Sequence, residues 1–271
     1  MTHTTRRTFL AAGAAALTYR MLACTAHAQA APATAGPVDP ALIDDLVAAN
    51  RILVDQGVVD GYGHVSVRHP ADPQHYLMSR SIAPELVTAA DIMEYDLDST
   101  AVDARGRTSY LERFIHGEIY RARPDVKAVV HNHSPSVIPF GVSTAPLRPL
   151  YHMSAFLGGG VPVFDIKAAA GGATDMLVRN PALGRALATT LGARPVALMR
   201  GHGAVVVGPS IQLTVFRGVY TEMNARLQAQ AMALGGPVTY LDDEEARLAG
   251  GSVGGTVVRP WELWRKKALA R

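Results

Sequence analysis

Apolar positions along the chain change their spacing from segment to segment, and each change marks an element. Leu42, Ile43, Leu46, Val47, Leu53 and Val54 recur every three to four residues until Gly57 stops them, which predicts an amphipathic helix. The period then drops to two. Gly63-His64-Val65-Ser66-Val67-Arg68 alternates small or apolar with polar residues, as a strand leaving a glycine-rich turn does, and His75–Met78 is its expected hairpin partner. Leu111, Phe114, Ile115 and Ile119 lie on one stripe of a helix predicted over Leu111–Arg123 and closed by Pro124. Val126–His133, β-branched and bounded by Pro124 and Pro135, reads as a strand. Val196–Met199 and Ala204–Val207 flank Arg200-Gly201-His202-Gly203, a tight hairpin turn, and Ser210 can cap a long helix running to about Leu234. Hairpins mixed with crossovers predict an α/β fold with a mixed sheet covered by helices rather than a doubly wound nucleotide fold. No internal repeat, P-loop or G-x-G-x-x-G after a strand is present, so nucleotide cofactors lose their main support.

The N-terminus changes the picture of charge. Over 271 residues the net charge is +3, but Arg6, Arg7 and Arg20 fall in a first stretch that holds no acid. Without that stretch 23 basic residues face 23 acidic ones, so nucleic-acid binding by bulk charge is excluded. Thr5-Arg6-Arg7-Thr8-Phe9-Leu10, the apolar run Ala11–Leu17 and Ala26-His27-Ala28 together read as a twin-arginine (Tat) signal over residues 1–28, cleaved after Ala28. The expected location is the periplasm or the exterior, without a stable membrane anchor, because the apolar run is too short to span a bilayer. Residues 29–40, rich in Ala and Pro, read as a linker, and 41–271 as one domain. At 48% apolar residues disorder is excluded. The single cysteine, Cys24, lies in the signal segment, so the mature chain has neither a disulfide nor a thiolate ligand. Any metal must be held by His and carboxylate.

Four of the remaining histidines sit in suggestive places: His131, His133, His152 and His202. On a strand, side chains two apart share a face about 6.6 Å apart, so His131 and His133 can converge on one ion; on a helix they would diverge. His202 stands between two glycines, where a backbone turn can press close to an ion. Three neutral imidazoles with an open fourth position would make a catalytic metal site. The alternative is that His131 and His133 are core residues and His202 an exposed turn residue. Glu112 is equally double-sided. Ser109-x-x-Glu112 opens a helix as a capping box does, yet the same carboxylate could act as a general base or fill the open metal position. His116, one turn on, could orient Glu112 or simply pack there.

In order, Glu112, His131-Asn132-His133, Tyr151-His152-Met153 and Arg200-Gly201-His202-Gly203, followed by a helix with Glu222, resemble the class II aldolase/adducin family, which includes fuculose-phosphate aldolases and ribulose-phosphate 4-epimerases. The likeness runs from about Leu42 to Leu234. It implies a three-layer α/β/α fold with a mixed, largely antiparallel central sheet. It also implies a homotetramer with the site at subunit boundaries, and one divalent metal per chain, zinc foremost with manganese or iron as alternatives. Carried over, His131, His133 and His202 are the metal ligands, and Glu112 and His152 the catalytic acid/base pair, His152 standing where the aldolases have a tyrosine.

The positions that hold phosphate in the sugar-phosphate members read His64, Ser79-Arg80-Ser81 and Tyr110-Leu111 here, a more aromatic and apolar set unsuited to a phosphate dianion. Pro135–Val142 and Arg148-Pro149-Leu150 resemble the branch acting on hydroxylated aromatic carboxylates. The substrate-binding candidates are thus His64, Ser79, Arg80, Tyr110, Arg148, Tyr151 and Arg200. The expected function is a metal-dependent carbon–carbon lyase of aldolase type on a small hydroxy or oxo substrate lacking phosphate. Decarboxylation of a hydroxylated aromatic carboxylate, epimerisation, metal-dependent oxygenation and a non-catalytic binding domain are the alternatives.

Overall fold

The stripe of apolar residues after the linker forms helix α1 (Pro40–Asp55), with Asp39 accepting from the Ala41 N–H at its start and Gly57 in the left-handed region (φ +68°) after its end. The structure, a computed structural model, describes Met1 and residues 31–270. The twin-arginine motif, Cys24 and the expected cleavage site therefore lie outside the described residues. Among the described residues no helix is long and apolar enough to cross a membrane. The segment read as a linker is partly tied down: the Thr34 hydroxyl and the Ala35 N–H donate to the two oxygens of Glu94 at 2.7 and 2.6 Å.

Seven strands form one sheet: β1 (His64–Arg68), β2 (His75–Ser79), β3 (Ile92–Asp96), β4 (Ala128–Asn132), β5 (Val163–Phe164), β6 (Val196–Met199) and β7 (Gly203–Gly208). Their spatial order is β3-β2-β1-β4-β7-β6-β5, and every neighbouring pair is antiparallel except β5 with β6. The mixed, largely antiparallel sheet expected from the sequence is the one found. Its period of two sorts side chains into two cores. Val65, Val67, Val130 and Val206 pack with α1, with α6 (Ile211–Ala233) and with Trp261 and Trp264 of α8 (Val258–Leu269). Val129, Val205 and Val207 pack on the other face with Ile115 and Ile119 of α2 (Phe114–Ala122) and with Leu187 and Leu191 of α5 (Pro181–Leu191). Shorter helices α3 (Ile138–Val142), α4 (Ile166–Ala170) and α7 (Asp243–Gly254) complete the chain.

One element differs from expectation. The helix predicted from Leu111 begins as a 3-10 turn over Leu111–Arg113, and only Phe114–Ala122 is α-helical. Leu111 is 58% exposed rather than part of the buried stripe, which is made by Ile115, His116, Ile119 and Tyr120. Glu112 lies in this turn with non-helical backbone angles (φ −92°, ψ 17°) and is buried. On α6 the buried face is partly polar for a reason. Asn224 and Gln228 hydrogen-bond the backbone of Pro146, Arg148 and Leu150, pinning the segment before the 3-10 turn His152–Leu157.

Candidate metal centre

Strand β4 ends at Asn132, so His131 lies on the strand and His133 one residue past it, while the β6–β7 turn delivers His202 from the neighbouring hairpin. Register sets the approach: Asn132 pairs with Ala204 and His131 with Val205. Gly203 permits it, because a Cβ at this position would run into the carbonyl oxygen of Asn132. The result is convergence. The Nε2 atoms of His131 and His133 lie 3.2 Å apart, those of His133 and His202 3.0 Å, and Glu112 Oε2 is 3.4 Å from Nε2 of both His131 and His202. One donor atom from each of the four residues fits within a span of 4.8 Å.

The outer nitrogens decide what this cluster can hold. His131 Nδ1 donates to the Ala204 carbonyl at 3.2 Å and His202 Nδ1 to the Met176 carbonyl at 2.9 Å. A carbonyl only accepts, so both rings carry their hydrogen on Nδ1 and point an Nε2 lone pair inward. Lone pairs facing each other at such distances repel unless a cation lies between them. Tetrahedral ligands with bonds of about 2.0–2.1 Å stand about 3.3–3.4 Å from one another. These four separations sit close to that edge length, and all four donor atoms lie within 4.8 Å of one another, so the residues present fit a divalent metal.

The capping-box reading of Glu112 does not hold. The N-cap of the 3-10 turn is Tyr110, with no side-chain capping bond, and Ser109 Oγ instead accepts from the Tyr95 hydroxyl at 3.0 Å. Glu112 Oε1 accepts the Val178 N–H at 2.9 Å, leaving Oε2 toward the imidazoles. Burial by itself raises the carboxyl, but His131 and His202 outweigh it and hold Glu112 far below the usual carboxylate range. Burial opposes protonation of His202 as well, but with no cation between them the nearby Glu112 carboxylate favours the protonated ring and leaves it above the ordinary imidazole value. His133 is pushed down to about 4 by burial and then by His131 and His202. His116 does not orient Glu112. It turns to His64 and Ser66.

Glu112, His131 and His133 of the cluster line a cavity of about 310 Å³ whose other walls include Tyr62, His64, Ile82, Tyr110, Leu111 and Leu177. No Lys or Arg is among the described residues lining it. Of the substrate-binding candidates, His64 and Tyr110 line this cavity, their rings 4.5 Å apart. Ser79 sits behind Tyr110, its Oγ 3.2 Å from the phenol oxygen, and Ser81 takes the place at the wall.

The other candidates lie outside this cavity within the chain. Arg80 pairs with Asp91 at 2.6 Å and Arg200 with Asp165 at 2.8 Å, while Arg148 stacks on Tyr240 with its guanidinium 4.4 Å from the ring centre. Each guanidinium is thereby committed to a partner outside the cavity. Tyr151 packs near Tyr220, and His152 is exposed beside a separate small cleft with Phe156 and Leu213, because the pinned 146–150 segment and the following turn run along α6. Within the chain neither reaches the metal cluster. Sequence reasoning missed the Val178 N–H, the Met176 carbonyl, Tyr62 and Leu177. The first two are backbone groups that any residue supplies; the one sign of tension there is the left-handed φ of +70° at Met176, visible only in the structure.

Residues 44–229 match the family described as class II aldolase and adducin N-terminal domain, and the chain belongs to that family. It is 39% identical over 236 residues to decarboxylase tropJ of Talaromyces stipitatus, covering 79% of this chain and 89% of that protein. It is 31% identical over 212 residues to the 3,4-dihydroxyphthalate decarboxylase of Arthrobacter keyseri, covering 73% and 81%. Among solved structures, L-fuculose 1-phosphate aldolase from Glaciozyma antarctica PI12 superposes with a TM-score of 0.70 at 23% identity over 86% of this chain and 94% of that one, which establishes the shared fold.

Proposed function

We propose that this lyase of the class II aldolase family is a metal-dependent decarboxylase of a small hydroxylated aromatic carboxylate. The observation that carries the reading is the pairing of a three-imidazole, one-carboxylate cluster with a cavity walled by Tyr62, Tyr110, Leu111 and Leu177 and lined by no Lys or Arg. Such walls seat a flat ring and keep water from it, and they offer no cation to a phosphate dianion. The decarboxylase relatives support the same choice over aldol cleavage. His131, His133 and His202 hold the metal, for which the donor set suits zinc, with manganese or iron as alternatives. A divalent cation held there supplies Lewis acidity to adjacent substrate oxygens. Glu112, anchored through Oε1, uses Oε2 to take the phenolic proton and return it to the ring carbon. As the C–CO₂⁻ bond breaks, its electron pair forms the new C–H bond, and solvent reprotonates the phenolate.

His152 and Tyr151, remote from their own chain's cluster, fit a tetramer in which they complete a neighbouring copy's cavity. The twin-arginine motif supports export in the folded state. The test is a panel of hydroxybenzoates and dihydroxyphthalates against sugar phosphates, with CO₂ release and aldehyde release both followed on metal-loaded protein. The reading expects CO₂ from an aromatic acid. Aldehyde from a phosphosugar without CO₂ would overturn it.

A further inference from the structure

Behind the cavity wall runs a hydrogen-bonded chain that the proposed reaction does not use. His64 Nδ1 lies 2.6 Å from His116 Nε2, His116 Nδ1 lies 2.6 Å from Ser66 Oγ, and Ser66 Oγ lies 2.8 Å from the Tyr120 hydroxyl. Ser66 and His116 are 0% exposed, Tyr120 1% and His64 3%. Register explains the alignment: His64 pairs with His131 and Ser66 with Val129, so both point to the face covered by α2, where His116 and Tyr120 stand one turn apart.

The chain has a direction. Ser66 Oγ is the only side-chain acceptor recorded for the Tyr120 hydroxyl among the described residues, so the phenol donates to Ser66. Ser66 then donates to His116 Nδ1, which leaves the His116 hydrogen on Nε2 and makes it the donor to His64 Nδ1. The reverse order would strand the phenol hydrogen in a sealed site without an acceptor, which buried groups avoid. With its Nδ1 occupied as an acceptor, neutral His64 carries its hydrogen on Nε2. That atom has no partner among the described residues, is not among the sealed orphan atoms, and belongs to a residue lining the cavity.

We infer that His64 is a substrate-facing hydrogen-bond donor, locked as the Nε2–H tautomer by the Tyr120–Ser66–His116 chain, and that it takes an anionic substrate oxygen, carboxylate or phenolate. The tautomer follows from the chain itself; the identity of the acceptor rests on the proposed aromatic-acid substrate. A wall that can donate but not accept here favours an anionic oxygen over a hydroxyl hydrogen. Ser66, His116 and Tyr120 are positioning residues.

The test has two arms. Long-range ¹⁵N–¹H correlation spectra of imidazole-labelled protein are expected to show a pyridine-like Nδ1 and a pyrrole-like Nε2 for His64, and a mixed pattern in Ser66→Ala that Ser66→Thr restores. A pyrrole-like Nδ1 in the wild type would overturn the lock whether or not any acid is a substrate. In metal-loaded protein, salicylate binding is expected to weaken about tenfold in His64→Leu and clearly less in His64→Gln, which retains an N–H near Nε2, with metal content and melting temperature equal in both. A parallel loss for benzoate but not phenol assigns the carboxylate, and the converse the phenolate. Unchanged salicylate affinity in a folded, metal-loaded His64→Leu protein would overturn the contact. Failure of every aromatic acid in the turnover panel would instead remove the functional reading and leave the spectral result standing.

Discussion

Two histidine-bearing regions stand out equally in the sequence and behave oppositely in the structure. His131, His133 and His202 are set by strand register and by backbone carbonyls, and they converge, with His133 3.2 Å from His131 and 3.0 Å from His202. His152, with Tyr151 beside it, rides a 3-10 turn along α6 and stays exposed, away from that cluster. The contrast teaches that side chains placed by the register of neighbouring strands converge within one chain, whereas a residue on an outward-facing turn does not join them there.

The largest effect that would break the comparison is removal of a ligand. His202→Ala is expected to lose the metal and at least about 10³-fold in turnover, whereas His152→Phe keeps its metal. Metal analysis beside kinetics checks both, and metal loss in His152→Phe would collapse the distinction. Next comes Glu112→Gln, expected to retain metal while turnover falls by about 10²–10⁴-fold. Gly203→Ala should follow, because a methyl at that point forces β7 away from Asn132; a loss of about 1–3 kcal/mol in denaturant unfolding, together with weaker metal binding, is the expected outcome. An equimolar hybrid of Glu112→Gln and His152→Phe sharpens the comparison, since oligomers pairing an intact half-site from each parent should exceed both parents in activity. Hybrids no better than their parents would confine His152 to a structural role.

The smallest effect concerns pH. Burial pushes His116 down to about 3, below the value near 6.5 of an unfolded chain. Between those values the unfolded chain binds a proton that the folded one does not, so the contribution of His116 is full above pH 6.5 and is lost as pH falls toward 3. Metal-free protein should therefore lose stability through that window. A His116→Gln variant should show a shallower slope in urea unfolding, and equal slopes would contradict the assignment.

How much of this was legible beforehand depended on what kind of group carried the information. Val129-Val130 ahead of His131 and the glycines around His202 declare a strand and a tight turn, so spacing allowed the three histidines to meet, and the family resemblance chose that reading over core and turn histidines. The sheet followed from the same alternation, which sorts Val129 from Val130 and Val205 from Val206 into opposite cores. Leu111 misled because an apolar stripe looks the same whether the first turn is α or 3-10. Arg80, Arg148 and Arg200 misled because a sequence shows a charge but not its partner, here Asp91, Tyr240 and Asp165. The anchor for Glu112 was invisible because it is the backbone of Val178, whose identity leaves no mark.

The account stands on a cation between His131, His133 and His202, and metal quantification with metal-edge absorption spectroscopy on the purified protein tests it most directly. About one divalent ion per chain, with three imidazole nitrogens at about 2.0–2.1 Å, is the expected result. A folded, active protein holding no metal, or an ion with fewer than two imidazole ligands, would contradict it.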